Sequence, residues 1–173
     1  MDQHEEQEFA EYFAAKRDSV RRTAYMLCGD WHKADDLAQT AFVALHRRWR
    51  KIRDRSATDA YVRKTLVRAS IDESRRPWRR ERNVEVLPEP ATAGTRFDQQ
   101  VVDREDLLAA LRKVPPKQRA VLVLRYFEGM DVSGVAKALS CSEGNVKSQT
   151  ARGLTKLREV LGGDLFAESR EAR

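Results

Sequence analysis

The chain has 173 residues, 41% hydrophobic and 35% charged, with a net charge of +6. That is enough apolar material for packed cores, and room for one ordinary domain or two small ones. No stretch of 18 or more apolar residues is available for a membrane-crossing helix, and the acidic opening MDQHEEQEF lacks the apolar segment of a signal peptide, so a cytoplasmic protein is expected.

In chain order nearly everything reads as helix, because convincing period-two alternation is missing. A first helix is predicted from about Glu6 to Leu27, with Phe9, Phe13, Val20, Ala24 and Leu27 on one stripe and Gly29-Asp30 as the turn that ends it. A second runs from about Lys33 to Arg50. Leu37, Ala41, Leu45 and Trp49 recur every four residues, with Ala38 and Phe42 beside them, and Trp49 is expected in the core. After the loop IRDRSATD, Ser56 and Asp59 have capping-box spacing for a third helix from about Thr58 to Arg75, with Val62, Leu66 and Ala69 inward. Pro77 stops it. The segment from Asn83 to Asp103, with Pro88, Pro90 and Gly94 among small and acidic residues, is a linker by composition.

A second helical unit follows. Leu107, Leu108, Leu111 and Val114 form a stripe ending at Pro115-Pro116, and the apolar run Lys117 to Glu128 predicts a central buried helix with Gly129 at its C-cap. Asp131 can cap a short helix, VSGVAKAL. Ser140-Cys141-Ser142 is a tight turn, and Ser142 caps a last helix through about Leu161, with Val146, Leu154, Leu157 and Leu161 inward. The fold class is therefore all-α: two small helical domains joined by a flexible acidic linker, with boundaries at 1–82, 83–103 and 104–173.

Charge is unevenly distributed. Met1 to His46 holds 5 basic and 9 acidic residues, net −4, whereas Arg47 to Arg82 holds 14 and 5, net +9. Asn83 to Asp103 holds 1 and 4, net −3, and Arg104 to Arg173 holds 13 and 9, net +4. A +9 segment this short is the electrostatic footprint of polyanion binding. The cysteines, Cys28 and Cys141, lie far apart and share no ligand spacing with His4, His32 or His46, which favours reduced thiols and no metal. No cofactor-binding or catalytic motif is visible, so no enzyme is expected.

A short helix, a tight turn and a longer helix with a polar outer face make a helix-turn-helix pattern in the C-terminal unit. Asn145, Ser148, Gln149, Arg152 and Lys156 share the face opposite the apolar stripe. Asn and Gln can pair with adenine, and Arg with guanine or phosphate, in a major groove.

The stretch PPKQRAVLVLRYFEGMDVSGVAKALSCSEGNVKSQTARGLTKLR closely resembles the C-terminal domain of extracytoplasmic-function sigma factors of the sigma-70 family. ADDLAQTAF resembles the N-terminal domain of that family, and YVRKTLVRASIDESRR its promoter-melting helix. The resemblance spans about Phe9 to Leu161, in the family's order, and is strongest to actinobacterial sigma-E-like members. It implies a promoter-specificity subunit whose partners are core RNA polymerase and promoter DNA, with an anti-sigma factor as a candidate third.

Carried over residue by residue, the resemblance assigns Asp35, Asp36, Leu37, Gln39 and Phe42 to polymerase binding. Arg53, Arg55, Tyr61, Lys64, Arg68, Arg75 and Arg76 would meet the −10 element, with Tyr61 as the aromatic platform and the cations on phosphates. Ser142, Glu143, Asn145, Lys147, Ser148, Gln149 and Arg152 would face the −35 element. Asn145, Gln149 and Arg68 replace the family's more usual Thr, Arg and Asn. The acidic linker is implied to thread toward the polymerase RNA-exit path, and Trp78 could either stack or lie on the surface. A stand-alone helix-turn-helix regulator is the main alternative, but it leaves ADDLAQTAF and the +9 segment without a role.

Overall fold

The computed structural model describes residues 1–76 and 103–162. Trp78, most of the 83–103 linker and the FAESREAR tail lie outside the described residues. Seven α-helices and no strand occur among those described.

Helix α1, Gln3–Cys28, starts at Asp2, whose carboxylate accepts from the Glu5 backbone N–H while Glu5 reaches back, a complete capping box. It stops at Gly29, which takes a left-handed φ of 73° and donates its N–H to the Tyr25 carbonyl. The left-handed φ favours glycine here, and a Cβ on Gly29 would also come within 2.8 Å of Arg112 Cγ, so Arg112 would have to shift. Helix α2, Trp31–Arg48, is capped by Asp30. Helix α3, Thr58–Ser74, packs against both. Leu37, Ala41, Leu45 and Trp49 are all buried, Trp49 at 2% exposure, and Val62 and Leu66 meet them from α3.

One expected cap is absent. No side chain caps α3. Ser56 instead donates to Asp54, which caps a single 3-10 turn, Arg55–Ala57. Asp59 turns away to accept from the Tyr12 hydroxyl at 2.7 Å and the Lys16 ammonium at 3.3 Å. Burial opposes ionisation of Asp59, but these two bonds outweigh it and lower its pKa. The same contact, with burial first, raises the Tyr12 pKa. The capping-box spacing was thus real in sequence and was won by a long-range pair.

The second half runs α4, Arg104–Arg112; α5, Pro116–Leu122; α6, Val132–Leu139; and α7, Glu143–Val160. The expected single helix over Lys117 to Glu128 widens after Leu122 into a π turn, Val123–Phe127, closed by the Glu128 N–H on the Val123 carbonyl at 3.0 Å. Gly129 then adopts φ 67°, and Asp131 and Ser142 cap α6 and α7 as expected. The turn between these helices passes through Ser140 at φ 53°.

The two halves touch along α1 and α3 on one side and α4, α5 and α6 on the other. Arg119 is a largely enclosed cation in this seam. Its guanidinium donates to the Leu27 carbonyl at 2.7 Å, to Arg112 at 2.8 Å and to Val114 at 2.9 Å. These oxygens belong to the ends of α1 and α4, where helices leave carbonyls unsatisfied and carry partial negative charge. Burial pulls the Arg119 pKa down, yet an arginine keeps its proton at physiological pH.

Cys28 sits beside Leu27 and donates weakly to the Asp30 carbonyl at 3.2 Å. Burial pushes its thiol from 9.0 up to about 11. A folded pKa above the unfolded one means the folded chain holds its proton longer, so stability is full below about pH 9 and falls as pH climbs toward 11. We expect the urea midpoint to drop more steeply between pH 8 and 10.5 in the native chain than in Cys28→Ala; parallel declines would show that the buried thiol is not responsible.

Candidate polymerase and nucleic-acid interface

Three surfaces gather the residues singled out in the sequence. On the first, α1 and α2 form a groove floored by aromatic rings. Phe13 meets Phe42 edge-on at 4.9 Å, and Phe9 meets His46 at 4.9 Å and Trp49 at 5.3 Å. Leu37 and Phe42 are 3% and 5% exposed, so they support the groove from behind. Its outward apolar surface comes from Phe13, 38% exposed, and Val43, 44% exposed. Neither was singled out for this surface in the sequence. Phe13 fell on the core stripe of α1, but that stripe is longer than its cover, and no periodicity distinguishes the uncovered end.

Asp35, Asp36 and Gln39 project from α2 as exposed groups, and Asp35 and Gln39 border the groove. Asp35 is held by the Arg21 guanidinium at 2.5 Å. Arg21 in turn lies over the Trp31 ring at 4.3 Å, Trp31 stacks on Tyr25 at 3.9 Å, and the Tyr25 hydroxyl accepts from Arg112 at 3.1 Å. A continuous ladder of cation, ring, ring and cation therefore runs from Asp35 to the second half of the molecule. Its rungs are 6 to 87 positions apart in sequence, and no local pattern announces them.

The second surface is α3 and the loop before it. Arg53, Arg68, Arg75 and Arg76 are exposed. Lys64 and Tyr61 are half-buried, and the Tyr61 hydroxyl lies 3.5 Å from the Ala44 carbonyl. Arg55 is committed to its own loop: it lies over the Trp49 ring at 3.9 Å, donates to the Trp49 and Ile52 carbonyls at 3.0 and 2.9 Å, and pairs with Glu8 at 2.9 Å. Arg68 donates to the Ser140 hydroxyl of the other half.

The third surface is α7. Ser142 accepts from the Asn145 N–H at 3.0 Å and fixes the helix start. Glu143, Asn145, Lys147, Ser148 and Arg152 are exposed, and Gln149 is half-buried. Val146, Thr150, Gly153 and Leu157 are buried on the opposite face. Gly153 lets α7 approach α5 closely, since a Cβ there would sit 3.0 Å from Leu122 Cδ1. The sequence reading missed Gly153, although a glycine inside a helical pattern is a signal of close packing. The site has an apolar groove, a basic helix and a polar helix face, and no constellation of nucleophile, base and orienter has emerged on these three surfaces.

Residues 13–80 match the family profile described as sigma-70 region 2, and residues 104–157 match sigma-70, region 4. The chain is 38% identical over 168 residues to an RNA polymerase sigma-E factor of Streptomyces coelicolor, covering 95% of this chain and 92% of that protein. It is 37% identical over 164 residues to its counterpart in Streptomyces antibioticus, covering 93% and 88%. An extracytoplasmic-function (ECF) sigma factor, SigM of Mycobacterium tuberculosis, is 29% identical over 161 residues, covering 89% and 77%. In fold, the chain is similar to the sigma factor RpoE of Bartonella quintana, solved with the anti-sigma factor NepR, at a TM-score of 0.69 and 21% identity over 91% of this chain and 99% of that one.

Arg55 offers a direct check on the geometry of the basic surface. Arg55→Ala should cost about 1–3 kcal/mol of unfolding free energy, from the lost ring contact and the freed carbonyls. The neighbouring Arg53→Ala should stay within about 0.5 kcal/mol. Equal effects in chemical denaturation would show that Arg55 is an ordinary surface cation.

Proposed function

The chain belongs to the sigma-70 family as an RNA polymerase sigma factor of the ECF group, and from that premise we propose how its parts divide the work. Residues 1–82 bind core polymerase and take up the −10 element, residues 104–173 read the −35 element, and 83–103 join them. The observation that carries this reading is that three chemically distinct surfaces fall on separate parts of the fold: the α1–α2 groove, α3 with the loop before it, and α7.

The α1–α2 groove suits a partner that brings both apolar side chains and cations. Phe13 and Val43 offer apolar area, Leu37 and Phe42 hold the wall, and Asp35, Asp36 and Gln39 supply the polar rim. Such a mixture of apolar centre and charged edge is what a specific protein interface needs. The partner assigned to it is core RNA polymerase.

The basic cluster on α3 suits the DNA backbone near the −10 element. Arg53, Arg68, Arg75 and Arg76 are the phosphate contacts, with Lys64 beside them. Opened strands are usually captured by stacking, and Tyr61 is positioned for that only after its ring is uncovered. Arg55 contributes indirectly, by setting the loop in which Arg53 sits. On α7 the cap at Ser142 aims N–H groups at a phosphate, and Asn145, Gln149 and Arg152 carry base-reading groups. Glu143 can accept from a cytosine amine, and Lys147 and Ser148 complete the polar face. The chain carries no catalytic role of its own in this scheme. It acts in the cytoplasm, and an anti-sigma factor is a further partner.

Two substitutions separate the surfaces. Asp36→Arg leaves the fold unchanged, because Asp36 is exposed, and should sharply reduce co-purification with core polymerase. Undiminished capture would remove α2 from the docking surface. Arg152→Ala should weaken binding to the −35 element by about 1–3 kcal/mol and relax specificity at one position; a uniform loss across unrelated sequences would instead make it a phosphate contact.

A further inference from the structure

One face of α1 grips the segment that joins α2 to α3. Glu5, Glu8, Tyr12 and Lys16 follow one another at spacings of three, four and four, so they stack along one side of the helix. Each meets that segment, and in the same order. Glu5 Oε2 accepts from Arg50 Nε at 2.9 Å, and Glu8 Oε2 accepts from Arg55 Nη2 at 2.9 Å. The Tyr12 hydroxyl donates to Asp59 Oδ1 at 2.7 Å, and Lys16 Nζ donates to Asp59 Oδ2 at 3.3 Å. Between these grips Trp49 is buried against Phe9 and Tyr12, with ring centroids 5.3 and 5.9 Å away.

Partly solvated ion pairs contribute little one by one, so what matters is what these contacts hold. Arg55 also spans the Trp49 and Ile52 carbonyls, and Glu8 therefore aligns a guanidinium that ties the loop to itself. Arg53 stands exposed between the two gripped arginines. Asp59 lies in the first turn of α3, the helix that carries Tyr61 and Lys64. Three of the four gripping residues precede residue 13, where the match to sigma-70 region 2 begins.

We propose that this face of α1 is a positioning element for the −10 contact: Glu5, Glu8, Tyr12 and Lys16 touch no DNA, and they preset the loop and the start of α3 for the strand. The inference rests on the assignment of Arg53, Tyr61 and Lys64 to the −10 element. Phosphate contacts set the register in which bases meet a protein. A loop held in advance loses less freedom on binding, whereas a loosened one meets the strand in several registers and tells bases apart less well. A rival reading makes Glu5 and Glu8 an acidic screen that only repels DNA. Positioning is favoured because both carboxylates are committed to named guanidiniums, and because the Tyr12 hydroxyl, part of the same grip, adds no charge to a screen.

Holoenzyme assembled from core polymerase and the full chain tests this on a promoter duplex mapped by run-off transcription, and on the same duplex with its −10 element scrambled. The readout is the ratio of the two affinities, measured by anisotropy. Tyr12→Phe, which changes no charge, and Glu8→Gln, which keeps an acceptor, should each lower that ratio about threefold to tenfold, with the helical circular-dichroism signal unchanged. Gln7→Ala, on the same turn of α1 but paired with Glu11, should leave the ratio as it is in the native chain.

A merely structural role would reduce the active fraction and lower binding to both duplexes together, leaving the ratio unmoved. An acidic screen would raise both affinities in Glu8→Gln and leave Tyr12→Phe like the native chain. Either result would overturn the positioning role while the −10 assignment stands. A native holoenzyme with no preference between the two duplexes would instead refute the −10 assignment, and the inference with it.

Discussion

One guanidinium sits across the ends of two helices at the seam of this molecule. Arg119 carries its charge between the two halves, and the carbonyls that satisfy it come from the last turn of α1 and the end of α4. Burying a cation is costly unless its donors are met, and one of the carbonyls that meets them, that of Leu27, lies in the last turn of α1 just before the turn at Gly29. Arg112 packs on that glycine and reaches Tyr25.

The seam joins the halves through both packing and polar contacts. Neither half is large enough to bury a generous core by itself, and core residues from both form one continuous cluster. Yet the named contacts across the seam are hydrogen bonds and ion pairs: Arg63 and Thr23 on Glu128, Arg68 on Ser140, Arg112 on Tyr25, Arg119 on Leu27.

Much of this was legible in the sequence, for identifiable reasons. Apolar spacing located all seven helices, and the Leu37, Ala41, Leu45, Trp49 series fell on the core because period 3.6 is local information. Asp131, Ser142 and Gly129 marked their turns correctly. Ser56 and Asp59 misled because Tyr12 and Lys16, more than forty residues away, compete for the same carboxylate. The π turn was hidden because the run AVLVLRYF is apolar all round and has no face to betray a change of pitch. The site was legible as charge and motif but not as commitment. The sequence counts Arg55 and Arg68 as free cations, while the fold gives one to Trp49 and the other to Ser140.

The account stands or falls on promoter-directed transcription. Run-off reactions with purified core polymerase, on fragments of the source genome, with and without this protein, test that directly. The account predicts discrete new transcripts whose upstream regions share two motifs, one near −10 and one near −35. Absence of new transcripts together with failure to bind core polymerase would contradict it and leave a stand-alone DNA-binding regulator in its place.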